Sequence, residues 1–355
     1  MTSAAAPALH PRQALLDAGE LAPELPVCDH YAGVEARMRK SLALQAELGE
    51  AHGRALFDVT LDAEDGAPVG GELEHVALMA ELVNSPANRW GRVGARVHPG
   101  DHPAFEAEVD LLLSRCGARL AYLMLPKPRD ARDVAQAIER IDAIARSRGL
   151  SCRIPIHVLI ETHGALHEVD RIAAHPRVES LSFGLMDFVS AHRGAISAAG
   201  MSATGQFSHP LVLRAKLEIA AACHRHAKVP SHCVVTEFRD RQALGQAAHR
   251  AAKQLGYTRM WSIHPDQILP IVEAFAPDAS EIEEAGEILL AAQAAQWGPI
   301  RHRTRGVDTL HDRASYRYYW YVLERAERTG RPLPDGIRKA FFGVSTEDAT
   351  GPASD

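Results

Sequence analysis

No stretch of this 355-residue chain reaches the roughly 18 uninterrupted apolar residues that a membrane helix needs. Its first thirty residues are rich in alanine and proline and lack the basic start and apolar run of a secretion signal. The expectation is a cytoplasmic protein with no membrane partner. Cysteine is sparse: Cys28, Cys116, Cys152, Cys223 and Cys233 are scattered, with no C-x-x-C pair, so neither a structural zinc site nor a disulfide framework is suggested. Positive charge is not in excess either. A net charge of -6 gives no electrostatic case for nucleic acid, although the local run "RHRTRG" (301–306) suits an anionic group. The 19 histidines follow no H-E-x-x-H or paired spacing.

What is present is the material of a globular enzyme. With 46% hydrophobic and 24% charged residues, the chain can bury the core of one large α/β barrel or of two ordinary domains. Apolar runs of four to six residues recur at 26–30, 56–61, 93–97, 120–125, 154–160, 179–184, 232–236 and 259–263, with helical patterns between them. Eight such runs are what a TIM (β/α)8 barrel requires. The helix in "DARDVAQAIERIDAIARSRG" aligns Val134, Ile138, Ile141 and Ala145 on one face, with Asp130 as N-cap and Gly149 as stop. A second helix is predicted from Ser280, with Glu283 completing a capping box, and a third over 208–226 with Ser208 as cap and Pro210 in the first turn. Beyond residue 297 the pattern changes, and "ASYRYYWYVLERAERTG" crowds aromatics onto one helix, as for packing against the barrel or a neighbouring subunit. The expected organisation is a disordered segment 1–22, a barrel 23–297, a C-terminal helical lid or oligomerisation segment 298–345 and a disordered tail 346–355.

In such a barrel, chemistry sits where strands end. The second run ends in "LDAEDGAP" (Asp62, Glu64, Asp65), the third in "ARVHPG" (Arg96, His98) and the fourth in "LMLPKP" (Lys127). The fifth ends in "LIETHG" (Glu161), the sixth in "SFGLMDF" (Asp187) and the eighth in "WSIHPDQ" (His264). A carboxylate at the mouth of a dry barrel demands a cation, so Glu161 and Asp187 either share a divalent ion or pair with Arg96 or Lys127. Two carboxylates as the only protein ligands suit Mg2+ or Mn2+, which keep water and substrate oxygens. Arg96 can hold a substrate carboxylate or enolate oxygen in bidentate fashion, with Glu64 and Asp65 orienting it; Asp62, Glu64 and Asp65 can equally cap the following helix or face solvent. "GAPVGG" lacks the ending of a phosphate loop and reads as a turn.

Taken in order, these motifs resemble the HpcH/HpaI aldolase and citrate lyase β-subunit superfamily, which includes malyl-CoA and citramalyl-CoA lyases. The resemblance covers about residues 26–297, and its most distinctive block is "LGYTRMWSIHPDQILPIVEAFAPDASEIEEA". It implies a TIM barrel carrying Mg2+ on Glu161 and Asp187, a 2-oxo acid such as glyoxylate or pyruvate gripped by that ion, and Arg96 stabilising an enolate, placed by Glu64 and Asp65. Lys127 and His264 would line the substrate site, with His264 more structural than catalytic. Relatives close the site with a lid from a neighbouring subunit that bears an aspartate; "RGVDTLHDRA" offers Asp308, with Asp312 as rival, as the general acid/base. Homotrimers or hexamers are implied as well. Two departures stand out: the Arg-Ser pair of CoA-using relatives is missing from "PVCDHYAGVEAR", and His98 replaces an asparagine.

The leading expectation is a Mg2+-dependent lyase cleaving a malyl-CoA-type 3-hydroxyacyl thioester, or the reverse condensation. Beside it stand a pyruvate-type aldolase on free hydroxy-oxo acids, a malyl-CoA-type thioesterase, and a non-catalytic subunit of a citrate-lyase-like complex.

Overall fold

A computed structural model describes residues 9–17, 23–67, 69–304 and 306–343. Eight parallel strands close into a barrel in chain order: β1 Cys28–Ala32, β2 Phe57–Asp62, β3 Val93–Arg96, β4 Leu123–Leu125, β5 Ile156–Ile160, β6 Val178–Phe183, β7 Val229–His232 and β8 Arg259–Ser262. Neighbouring β1 and β8 pair through Cys28–Met260 and Asp29–Trp261, which completes the cylinder. The expected TIM barrel is the observed fold. Among the described residues no helix is long and apolar enough to cross a membrane.

Most strands show two chemically distinct faces, because side chains alternate with a period of two. Phe57, Val59 and Leu61 of β2, Val93 and Ala95 of β3, and Ile156, Val158 and Ile160 of β5 belong to the large apolar cluster shared with the helices. The alternate residues are largely polar and bond to one another across the barrel. Thr60 donates to Asp29 (2.7 Å), Tyr122 donates to the same Asp29 oxygen (3.1 Å), and the Tyr122 ring stacks on His157 at 3.8 Å. Fully buried Arg259 pairs with Asp58 (2.6 Å) and Asp29 (3.1 Å), and Arg92 adds a two-pronged grip on Asp58 (2.7 and 2.8 Å). Above these polar groups, Met124, Leu159 and Trp261 form a small apolar cluster of their own, with Tyr31 against it.

The expected strand seven, 232–236, lies three residues too late: the strand is "VPSH", and the more apolar "CVV" follows it. The helix Ala131–Ser147 has Asp130 as its N-cap, with Val134, Ile138 and Ile141 buried. The helix Pro210–Arg225 begins after His209 rather than Ser208. The helix Ala279–Ala294 is capped by Asp278 with Glu281, not by Ser280 with Glu283, because the Asp278 carboxylate accepts the Glu281 N–H at 2.8 Å and Glu281 answers at 2.9 Å.

The chain forms two compact units, 22–275 and a second made of 1–21 with 276–355. Thus the helix Ala279–Ala294, assigned on sequence to the barrel, counts with the second unit. That unit also contains a short helix, Pro11–Leu15, inside the segment expected to lack structure, and a hairpin of β9 Ile300–Thr304 with β10 Val307–His311 where a basic, glycine-containing connector was expected. The expected tail, 346–355, lies outside the described residues. Tyr316 and Trp320 of the helix Arg313–Arg328 are buried in a cluster with Leu289, Trp297 and Phe341, so much of the aromatic crowding serves this unit's own core.

Candidate active site

The last residue of β2, Asp62, organises one side of the barrel mouth. Its carboxylate accepts the N–H groups of Glu64 (3.0 Å) and Gly66 (2.7 Å), folding the following loop back on itself. The same two oxygens take Nε and Nη2 of Arg96, each at 2.7 Å, in a parallel fork. Glu64 Oε2 meets Nη1 at 3.0 Å, and the guanidinium lies 4.5 Å from the centroid of the Tyr31 ring. Arg96 is only 6% exposed, so its orientation is set from three sides. Asp62, not Asp65, is therefore the main holder of Arg96. Asp65 pairs with Lys127 instead.

Glu161 follows β5 directly and is 2% exposed. One carboxylate oxygen accepts the Lys127 N–H at 2.8 Å. The other looks toward Gly184, where any Cβ would come within 2.2 Å of it; glycine is what lets the acid sit there. Burial, and next the charge of Asp187, push the Glu161 carboxyl up to about 8. Asp187 stands in the first turn of the short helix Leu185–Ser190, with its side chain 43% exposed. The fit to a divalent cation rests on this pair: a buried carboxylate that forms no ion pair among the described residues, and a second acid close enough to repel it. Among the described residues no three His, Cys, Asp or Glu side chains make a metal cage, so water and substrate would have to complete the ligand set.

Lys127 stands between the two halves. Its ammonium bonds Glu64 Oε1 (2.5 Å) and Asp65 Oδ2 (2.7 Å) and lies 3.8 Å from Asp187. The structure thus gathers Arg96, Glu64, Asp65, Lys127, Glu161 and Asp187 into one network.

His264 is tied differently. It opens a turn at Pro265–Gln267 in which Gln267 accepts the N–H groups of Ile263 (2.9 Å) and His264 (3.3 Å) and donates to Val235 (2.7 Å). Its ring stacks on Phe238, and both line a cavity of about 370 Å³ with His30, Tyr31, Arg37 and Lys40. Tyr31 is shared by this cavity and by Arg96. His30 is held neutral near neutral pH, since burial and then His264 lower its pKa to about 4. Sequence reasoning missed Tyr31, near the end of β1, and Arg37 and Lys40 in the helix that follows, because the strand is too polar to advertise its end. His98 does not join the network; it bonds buried Glu108 at 2.6 Å and stacks on His102. Asp308 lies in the second unit, paired across the hairpin with Arg301 at 2.9 Å, and Asp312 caps the helix Arg313–Arg328.

Comparison with known proteins supplies an independent view. Residues 58–265 match the model of the HpcH/HpaI aldolase/citrate lyase family. An L-malyl-CoA/β-methylmalyl-CoA lyase of Cereibacter sphaeroides is 31% identical over 250 residues, covering 67% of this chain and 77% of the relative. A malyl-CoA/β-methylmalyl-CoA/citramalyl-CoA lyase of Chloroflexus aurantiacus is 26% identical over 267 residues, 69% of this chain and 72% of that one. Among solved structures, a citrate lyase from Burkholderia xenovorans LB400 is 54% identical and superposes with a TM-score of 0.79, covering 94% of this chain and 99% of the other. CitE from Mycobacterium tuberculosis, in complex with magnesium, acetoacetate and coenzyme A, shares the fold at 19% identity and a TM-score of 0.60, over 85% of this chain and 98% of that one.

Proposed function

The chain belongs to the HpcH/HpaI aldolase/citrate lyase family and is a carbon–carbon lyase, and from that premise we propose that it cleaves a malyl-CoA- or citramalyl-CoA-type 3-hydroxyacyl thioester to a 2-oxo acid and an acyl-CoA, or runs the reverse condensation. The observation that carries this reading is the buried Glu161 carboxylate beside Asp187, facing an arginine fixed by Asp62 and Glu64. Mg2+ or Mn2+ on Glu161 and Asp187 would supply Lewis acidity toward the oxygens of the 2-oxo acid. The magnesium complexes of the mycobacterial CitE support the same ion here.

As the substrate hydroxyl gives its proton to a general base, the role proposed for Asp308, its oxygen becomes the carbonyl of the departing 2-oxo acid, and the bonding pair of the broken C–C bond flows to the thioester as an enolate. Arg96 is preorganised to receive that charge, because its fork is already fixed and need not reorient during the reaction. Lys127 lines the same mouth and offers a further donor to the substrate. The cavity beside Tyr31 supports a CoA thioester despite the missing Arg-Ser pair. Arg37 and Lys40 form no ion pair among the described residues, and Phe238 and His264 offer stacking faces. Protonation of the enolate is assigned to Asp308 from a second copy of the chain in a trimer or hexamer, with Asp312, whose carboxylate caps the helix Arg313–Arg328, as the alternative.

Purified protein is expected to release glyoxylate or pyruvate from malyl-CoA, β-methylmalyl-CoA or citramalyl-CoA, and to fall silent with EDTA. Cleavage of free 4-hydroxy-2-oxo acids alone would move it to the aldolase branch. CoA released without any 2-oxo acid would mark a thioesterase. Silence across the panel, with no metal bound, would support a subunit of a larger complex. Arg96→Lys keeps the charge but loses the fork to Asp62, so kcat should drop about 100-fold with a smaller change in KM. Equal turnover by wild type and this variant would remove Arg96 from the mechanism.

A further inference from the structure

We infer that Lys127 is a positioning residue that couples the metal carboxylates to the substrate arginine while competing with the metal, so that losing its ammonium tightens divalent-cation binding and slows turnover together. The inference rests on the metal reading of Glu161 and Asp187.

The backbone shows how firmly this lysine is placed. In Pro126-Lys127-Pro128 it adopts φ +49°, a region that residues with a Cβ rarely enter and keep only when the surroundings enforce it. Three contacts enforce it here by fastening the turn onto the segment after β5. The Lys127 N–H bonds Glu161 at 2.8 Å, Thr162 Oγ1 donates to the Pro128 carbonyl at 2.6 Å, and Gly164 lets the Arg129 carbonyl come closer than any Cβ would allow. The lysine main chain is therefore a partner of one expected metal ligand, and its side chain is a neighbour of the other.

The ammonium has three N–H groups. Two are taken by Glu64 (2.5 Å) and Asp65 (2.7 Å), and Asp187 is beyond hydrogen-bond range at 3.8 Å. Glu64 in turn holds Arg96 Nη1 at 3.0 Å with its other oxygen. Two consequences of opposite sign follow. A positive charge 3.8 Å from a ligand oxygen repels an incoming divalent ion, an effect that solvent around half-exposed Asp187 reduces without cancelling. The same charge pins Glu64, and through it the outer nitrogen of the arginine that meets the developing enolate. A residue that merely stabilised the loop would weaken both functions, and a simple substrate contact would leave metal affinity alone.

The test is a titration of Mn2+ into wild type, Lys127→Met, Lys127→Arg and Glu161→Gln, followed by calorimetry and by the EPR signal of free Mn2+, with kcat and KM measured at saturating metal. Lys127→Met should bind Mn2+ about tenfold more tightly while kcat falls about 100-fold, as expected of a misplaced catalytic group. Lys127→Arg should restore metal affinity and part of kcat. Lys127→Gly, which relieves the backbone strain, is a second truncation and should match Lys127→Met in both readouts while melting above it. Metal affinity that is unchanged or weaker in both truncations overturns the inference, as does tighter binding with wild-type kcat. Wild-type binding that Glu161→Gln abolishes but Lys127→Met leaves alone overturns the inference only. Equal binding by wild type and Glu161→Gln overturns the metal reading as well.

Discussion

Glu161→Gln and Asp187→Asn are each expected to abolish Mg2+ binding in calorimetry and to lower kcat/KM at least about a thousandfold, since the ion would supply several kcal/mol of charge stabilisation. The two variants should differ in stability. Glu161 is 2% exposed and its carboxyl is pushed up to about 8, so the metal-free protein keeps a strained acid there. Glutamine preserves the shape and the acceptor for the Lys127 N–H but discards the ionisable group, and Glu161→Gln should unfold at a temperature equal to or above that of the metal-free wild type. Asp187, with its side chain 43% exposed, should change stability little. Such a divergence is the expected cost of function, a site built from groups that would be more comfortable neutral. Either variant with both full turnover and bound metal would remove the carboxylate pair from the mechanism.

The second large effect is on folding. Arg259→Leu should destabilise the barrel by about 3–5 kcal/mol, because it leaves Asp29 and Asp58 buried without their shared cation. Both acids are completely buried, at 3.1 and 2.6 Å from the guanidinium. Adding Asp29→Asn to Arg259→Leu should return part of the loss, since the cost is chiefly that of the Asp29 charge, whereas Asp58 keeps its two-pronged grip from Arg92. The pH profile carries a second signature. Burial alone would raise the Asp58 carboxyl, but Arg92 and Arg259 hold it below the ordinary carboxylate value. Its stabilising contribution is therefore complete above the unfolded value of about 3.9 and is lost as pH falls through the lower, folded value. Urea midpoints between pH 6 and pH 2 should show that acid limb in wild type and a shallower one in Arg259→Leu. Parallel curves would mean that the cluster adds nothing pH-dependent.

How much of this was legible beforehand depended on which face of a strand carried the signal. The outward faces are apolar, and their runs marked seven of the eight strands closely. In β7 the sequence "VPSH" offers one aliphatic residue before the more apolar "CVV", and the reading slid forward accordingly. The acids and bases at strand ends were found because a charge directly after an apolar run is conspicuous. Their mutual arrangement was not, because pairing between strands is invisible in one dimension. Asp62 looked like one of three interchangeable acids, whereas its position as the last residue of β2, paired in register with Arg96 of β3, makes it the arginine's fork partner. The second unit was harder still: β9 and β10 are short, charged and largely exposed, so neither hydrophobic alternation nor a distinctive turn announced the hairpin.

The two-faced strands also bear on how the barrel finds its own alignment. A single-residue slip of one strand past its neighbour would turn Asp29, Asp58 or Arg259 out into the oily layer beneath the helices and bring Phe57 or Met260 into the polar lumen. With an uncompensated charge costing several kcal/mol, misaligned closures would be unstable and short-lived. The ionic lumen thereby acts as a proofreading device during folding, rejecting wrong staggers that a uniformly greasy barrel would tolerate.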